Sequence, residues 1–105
     1  MHARLTKFEG SPHEIETGIK QIKEQVIPTA KKLAGFKGGY WFVDRTTGKG
    51  FSITLFETES ALRASDDAAA KLRAEVTRTS GTKITGVESY EVVAEARVAE
   101  MAPAR

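Results

Sequence analysis

The chain has no cysteine among its 105 residues, a single tryptophan, three prolines and two histidines. Without cysteine there is no disulfide, no thiolate metal ligand and no cysteine nucleophile, which fits a reducing compartment. Long hydrophobic runs are also missing. No apolar stretch approaches the ~20 residues that a membrane span needs, and the opening MHARLTKFEG has no apolar core of a secretory signal. The expected location is therefore cytoplasmic, with no membrane partner. Charge of one sign is scarce: sixteen Lys and Arg against fourteen Asp and Glu leave a formal net charge of +2. The basic residues stand among acids, Lys20 and Lys23 beside Glu16 and Glu24, and Arg73 beside Glu75. A nucleic-acid binder shows a basic stripe, so nucleic acid is not an expected partner. No His/Asp/Glu cluster has metal-ligand spacing, and no Ser or Thr stands in a nucleophile elbow with a histidine. The glycines of GFKGG match neither phosphate-cradling motif and read as a helix stop followed by a close-packed strand entry. Neither a metal nor a cofactor is expected.

What the sequence does contain is a hairpin signal at residues 35–60, GFKGGYWFVDRTTGKGFSITLFETES. Two apolar runs, 40–43 and 51–56, flank a polar turn at 45–50, with Asp44 placed to bond the turn backbone. Side chains alternate along a strand. Tyr40 and Phe42 therefore point one way, Trp41 and Val43 the other. Both faces are apolar, so both need covering.

The rest of the chain, a single domain over residues 1–94, assembles around that hairpin. Residues 3–8 form a first strand. Ser11-Pro12-His13-Glu14 is a helix start with a capping serine, a proline at the first position and a capping-box glutamate. Ile15, Ile19, Ile22 and Val26 lay an apolar stripe along a helix over 12–33, with a kink or restart near Ile27 caused by Pro28. A second helical region spans 59–79, capped by Thr58 or Ser60. Asp66 and Asp67 read as a second N-terminal charge pair, which suggests two helices meeting near Ser65. Residues 82–94 are the last strand, with a bulge or bend at Gly86, and 95–105 a tail or an arm laid on a partner. The order βαββαβ is the ferredoxin-like α+β arrangement, a four-stranded antiparallel sheet with two helices on one face. Two helices cover only one face, so a second copy packed against the other is the economical completion, and a homodimer is expected.

GFKGG after a proline-interrupted helix, then VDRTTGKG, SITLFETES and VESYEVV, resemble the antibiotic-biosynthesis-monooxygenase-like family over nearly the whole chain. The resemblance implies a dimeric α+β barrel, in which two sheets pack face to face with the helices outside. It also implies cofactor-free oxygenase, haem-degrading or non-catalytic members. The haem-degrading members carry a tryptophan and a histidine on the second helix and an asparagine on the first strand. Here residues 65–75 hold neither Trp nor His, and 3–8 hold no Asn, which argues against haem degradation.

Two functions stand side by side. One is a small cofactor-independent oxygenase acting on an aromatic or phenolic molecule, in a cavity lined by Trp41, Tyr40, Phe42, Phe56 and Tyr90. The other is a non-catalytic dimeric binding or stress-related domain. The candidate proton-transfer residues are His13, Tyr40 and Tyr90. His13 is alternatively a solvated first-turn histidine, and the tyrosine hydroxyls alternatively satisfy backbone groups. Trp41, Phe42 and Phe56 are candidate substrate walls or simply core and interface anchors. Arg45 or Arg63 would steady an anion, or be a surface charge.

Overall fold

The computed structural model describes residues 1–98. Strands β1 (His2–Glu9), β2 (Phe36–Val43), β3 (Lys49–Phe56) and β4 (Lys83–Glu91) form one antiparallel sheet in the order β2-β3-β1-β4. With helices between β1 and β2 and between β3 and β4, this is the expected ferredoxin-like α+β fold.

The first helical segment is built in pieces. Ser11 Oγ accepts from the His13 N–H at 3.2 Å and opens a short 3-10 turn, Pro12–Glu14. There follow α1 (Ile15–Gln21), a π-helical turn (Ile22–Val26) and α2 (Ile27–Lys31). In an unbroken α-helix the Pro28 ring would crowd the carbonyl four residues back. The chain widens instead: the Ile27 N–H reaches Ile22 O, and Pro28 falls in the first turn of α2, where its missing donor costs nothing. The second segment is α3 (Glu59–Ala64) and α4 (Asp66–Ser80), which meet at Ser65. Thr58 supplies the N-cap, its Oγ1 accepting from Ala61 N at 3.0 Å.

The strands differ from expectation at their ends. β2 begins at Phe36, because a bulge absorbs the glycines: Phe36 pairs with Phe56 but Gly38 with Leu55. Gly38 has φ 153° there, a conformation side chains rarely adopt. In β4 the register steps between Lys7 and Phe8, which pair with Gly86 and Ile84. β4 ends at Glu91 rather than residue 94, although Val92 N still bonds Met1 O at 2.9 Å. In the hairpin turn, Asp44 Oδ1 accepts from Thr46 N at 2.8 Å and Thr47 N at 3.2 Å. Residues 92–94, expected as strand, and 95–98 of the expected tail have no regular structure, and 99–105, with any reach onto a partner, lie outside the described residues.

The register sorts the sheet into two faces. Phe36, Trp41 and Val43 of β2, Ser52, Thr54 and Phe56 of β3, and Arg4, Thr6 and Phe8 of β1 share the face under the helices. Tyr40 and Phe42, Phe51, Ile53 and Leu55, and Ala3 and Leu5 share the other, with Tyr90 of β4 opposite Ala3. The buried apolar side chains among the described residues are Ala3, Ala30, Phe56 and Leu62, and of these Phe56 is fully enclosed. So small a core follows from the architecture: one face encloses a cavity and the other is uncovered. No helix among the described residues is long and apolar enough to cross a membrane.

Candidate functional site

Between the helices and the sheet lies a cavity of about 140 Å³. Its walls are apolar. Trp41, Val43 and Phe56 form the sheet side, Ile15, Ile22, Val26 and Leu33 the first helical segment, and Leu72 and Val76 of α4 the other. The π-turn contributes Ile22 and Val26, so the widening forced by Pro28 also shapes this wall. The cavity is close to the ~150 Å³ of an engineered apolar cavity that takes up benzene. That is room for one aromatic ring.

One end of the cavity is polar and positively charged. Arg4 and Arg73 both line it. Arg4 is only 4 % exposed. Its Nη2 donates to Leu62 O at 3.1 Å, Ser65 Oγ at 2.9 Å and Asp66 Oδ1 at 2.6 Å, and the guanidinium stands 5.5 Å from the centre of the Phe56 ring. Arg73, one turn after Ala69 on α4, makes no salt bridge or side-chain hydrogen bond among the described residues. Burial, followed by the neighbouring Arg4 charge, lowers its pKa from the usual arginine value, with Asp66 acting the other way. Thr54 Oγ1 and Gln21 Oε1, also at the cavity, are buried without a hydrogen-bond partner.

The sequence-derived candidates divide between the two faces. Trp41 and Phe56 come together in the cavity wall. Phe56 is 1 % exposed and meets Phe36 edge to face at 5.8 Å. Tyr40, Phe42 and Tyr90 lie on the open face, at 64 %, 42 % and 53 % exposure. There Phe42 stacks on Phe51 at 4.6 Å and beside Tyr40 at 6.3 Å. The Tyr90 hydroxyl donates to Glu88 Oε1 at 2.8 Å. That hydrogen bond is the main reason its pKa is raised above the ordinary tyrosine value. His13 is exposed at the helix start. Arg45 pairs with Glu16, and Arg63 with Glu59 at 2.9 Å, both on the surface. No group of three His, Cys, Asp or Glu among the described residues is placed to hold a metal.

Arg4 and Arg73 are the residues that sequence reasoning missed. Both left a signal. Arg4 has the strand parity of Thr6 and Phe8, the inward side of β1. Arg73 is four residues after Ala69 and three before Val76, on the apolar stripe of α4.

No protein-family model matches the chain. The uncharacterized protein Rv2558 of Mycobacterium tuberculosis is 32 % identical over 73 residues, which are 70 % of this chain and 31 % of that protein. The chain thus spans about a third of that relative's length. Among solved structures, a monooxygenase of Streptomyces coelicolor (ActVA-Orf6), in complex with nanaomycin D, superposes with a TM-score of 0.65 at 13 % identity, covering 95 % of this chain and 92 % of that one. The haem degrader MhuD of Mycobacterium tuberculosis, with two haems in its active site, superposes with a TM-score of 0.67 at 17 % identity, covering 92 % of this chain and 100 % of that one.

Proposed function

Taking the antibiotic-biosynthesis-monooxygenase-like fold of this chain as the premise, we propose that it binds a single-ring aromatic molecule between its helices and its sheet and oxidises it with dioxygen, without a cofactor. The observation that carries this reading is the largely apolar cavity of about 140 Å³, with Trp41 in its wall and guanidinium groups at one end. The reaction asks little of a protein. A phenol and dioxygen give a quinone and water, and the ring carbon supplies every electron that dioxygen accepts. One oxygen atom enters the ring and the other leaves as water. The phenol must first ionise, and positive charge in a water-poor cavity favours the anion. The Trp, His and Asn missing from the second helical segment and the first strand speak against a haem substrate. The test is oxygen uptake by the purified protein with a panel of phenols and quinols and no added flavin, haem or metal. Uptake matched by quinone formation is expected. No uptake across the panel by folded protein would refute the oxidation.

The protein acts, in this reading, as a homodimer joined through the open sheet face. Tyr40, Phe42, Phe51 and Tyr90 alone expose about 400 Å² there, taking roughly 200 Å² per ring. That lies within the ~300–600 Å² of the largest patch on a typical monomer before Leu5, Ile53 and Leu55 are counted. The second reading, a non-catalytic binding domain with the same cavity, is favoured by one observation: His13, Tyr40 and Tyr90 all stand outside the cavity of the protomer.

A further inference from the structure

Arg4 poses a problem of accounting. A guanidinium carries five N–H donors, two of them on each Nη and one on Nε. All the side-chain hydrogen bonds of Arg4 among the described residues are made by Nη2. The donors on Nε and Nη1 make none, and although the residue is only 4 % exposed these atoms are not sealed off, so they stay open to an acceptor from outside the protein. A guanidinium with so little open surface gains from an ionised acceptor, because charge-assisted hydrogen bonds are the strong ones.

The same end of the cavity repeats the pattern. Arg73 makes no salt bridge or side-chain hydrogen bond among the described residues, and Thr54, the β3 partner of Arg4 in the sheet, has a buried hydroxyl with no partner. The charges do not balance either. Asp66 is the carboxylate that faces both arginines, pairing with Arg4 at 2.6 Å and acting on Arg73. Two guanidiniums against one carboxylate leave a single positive charge over. Glu14, the acid in the cavity lining, comes five residues after β1 has ended at Glu9. Arg4 and Phe8 are already about 13 Å apart along β1 at ~3.3 Å per residue. So Glu14 does not neutralise this end.

We propose that Arg4, Arg73 and Thr54 form a subsite for the carboxylate of a single-ring aromatic acid, whose ring lies against Trp41. The inference rests on the reading of the cavity as the ligand site, and narrows its ligand to a hydroxylated aromatic acid. A carboxylate presents two oxygens in a plane, which suits the fork of Nε and Nη1. Its single charge answers the one left over. The Thr54 hydroxyl donates to the same group. The apolar remainder of the cavity takes the ring, which is why an inorganic anion would be a poor ligand.

The experiment titrates the intact protein with benzoate and with benzyl alcohol, a neutral ring of similar size, and follows Trp41 fluorescence. Wild type binds benzoate at least tenfold more tightly than benzyl alcohol. Arg73→Met removes that preference and leaves benzyl alcohol binding within about threefold, whereas Arg73→Lys retains part of it. Because the Arg4 contacts are with Leu62, Ser65 and Asp66, replacing Arg73 spares them, and circular dichroism checks the fold. A preference that is absent in wild type, or that survives Arg73→Met, overturns the inference. The failures are separable. If benzyl alcohol binds but benzoate does not, the cavity reading stands and the carboxylate subsite falls. If neither binds, both fall. If benzoate binds as described and no phenol is oxidised, the subsite stands and the oxidation falls.

Discussion

Arg4→Met asks whether the buried guanidinium is there for stability or for a ligand. The wild-type Nη2 makes three contacts, at 2.6, 2.9 and 3.1 Å. Hydrogen bonds to charged groups contribute about 1.5–3 kcal/mol each, and the face of Phe56 adds about 0.5–2 kcal/mol. Against them stands the desolvation of a guanidinium, several kcal/mol. Methionine keeps the unbranched stem and fills the space. The groups it abandons are not stranded. Leu62 O still accepts from Ser65 Oγ at 2.6 Å, and the Asp66 side chain, 62 % exposed, returns to water. Arg4→Met should therefore lie within about 1 kcal/mol of wild type, or be more stable, as when buried ion pairs are replaced by apolar groups. Asp66→Asn makes the contrast: it keeps the guanidinium buried and weakens its most exposed contact, for a loss of about 0.5–1 kcal/mol. Urea denaturation measures both, with a slope of ~1–3 kcal/mol per molar expected for a domain of this size. A loss above about 3 kcal/mol for Arg4→Met, with Asp66→Asn silent, would show that Arg4 holds the fold together and that the reasoning is wrong.

Gly35 has φ 77°, and a Cβ there would stand 2.6 Å from Ala61 Cβ. Gly35→Ala should cost about 1–2 kcal/mol for the left-handed backbone and a further ~1–3 kcal/mol for the clash. Adding Ala61→Gly should recover only the clash, and a thermal-denaturation double-mutant cycle with no coupling would refute the contact. At Gly39 a Cβ would press on the Trp41 ring at 3.0 Å, so Gly39→Ala should shift Trp41 emission, and an unchanged spectrum would deny that the indole lies over that glycine. Tyr90 gains its proton affinity chiefly from Glu88. Its folded pKa is raised, so the contribution is present below the ordinary tyrosine value and is lost as pH rises through the folded one. Glu88→Gln should bring its phenol titration, read by ultraviolet absorbance, back toward that ordinary value. Sedimentation equilibrium at micromolar concentration should give twice the 11.4 kDa chain mass. A well-folded monomer would mean that the open face needs no second copy.

The fold was legible because each element carried its own local signal. Pro28 announced the break in the first helix, Asp66 and Asp67 the restart in the second, and Asp44 the hairpin turn. Strand ends were less legible: the bulge at Gly38 depends on Phe36 finding Phe56 across the sheet, a long-range pairing that no window of sequence contains. The alternation of Tyr40/Phe42 against Trp41/Val43 was readable, but which pair met the helices was not. Both are apolar, and the choice is made by how Arg4, Thr6 and Phe8 of β1 register on β3. From sequence alone, therefore, Tyr40, Phe42 and Tyr90 group with Trp41 and Phe56 in one cavity wall. The arginines were overlooked for a related reason. A charge inside a strand or on an apolar helix stripe looks like surface until its neighbours are known, and Arg4 acquires its meaning only from Leu62, Ser65 and Asp66, about sixty residues away in sequence.

Trp41 is the single tryptophan of the chain and stands in the cavity wall, so the molecule carries its own reporter for the central claim. Titration of the native protein with single-ring aromatic compounds, phenols and aromatic acids among them, should produce a saturable change in Trp41 emission, competed by any second ring that fits the same space. A set of such compounds that leaves the emission of well-folded protein unchanged at millimolar concentration would contradict the account, because it would mean that the space between helices and sheet is not a binding site.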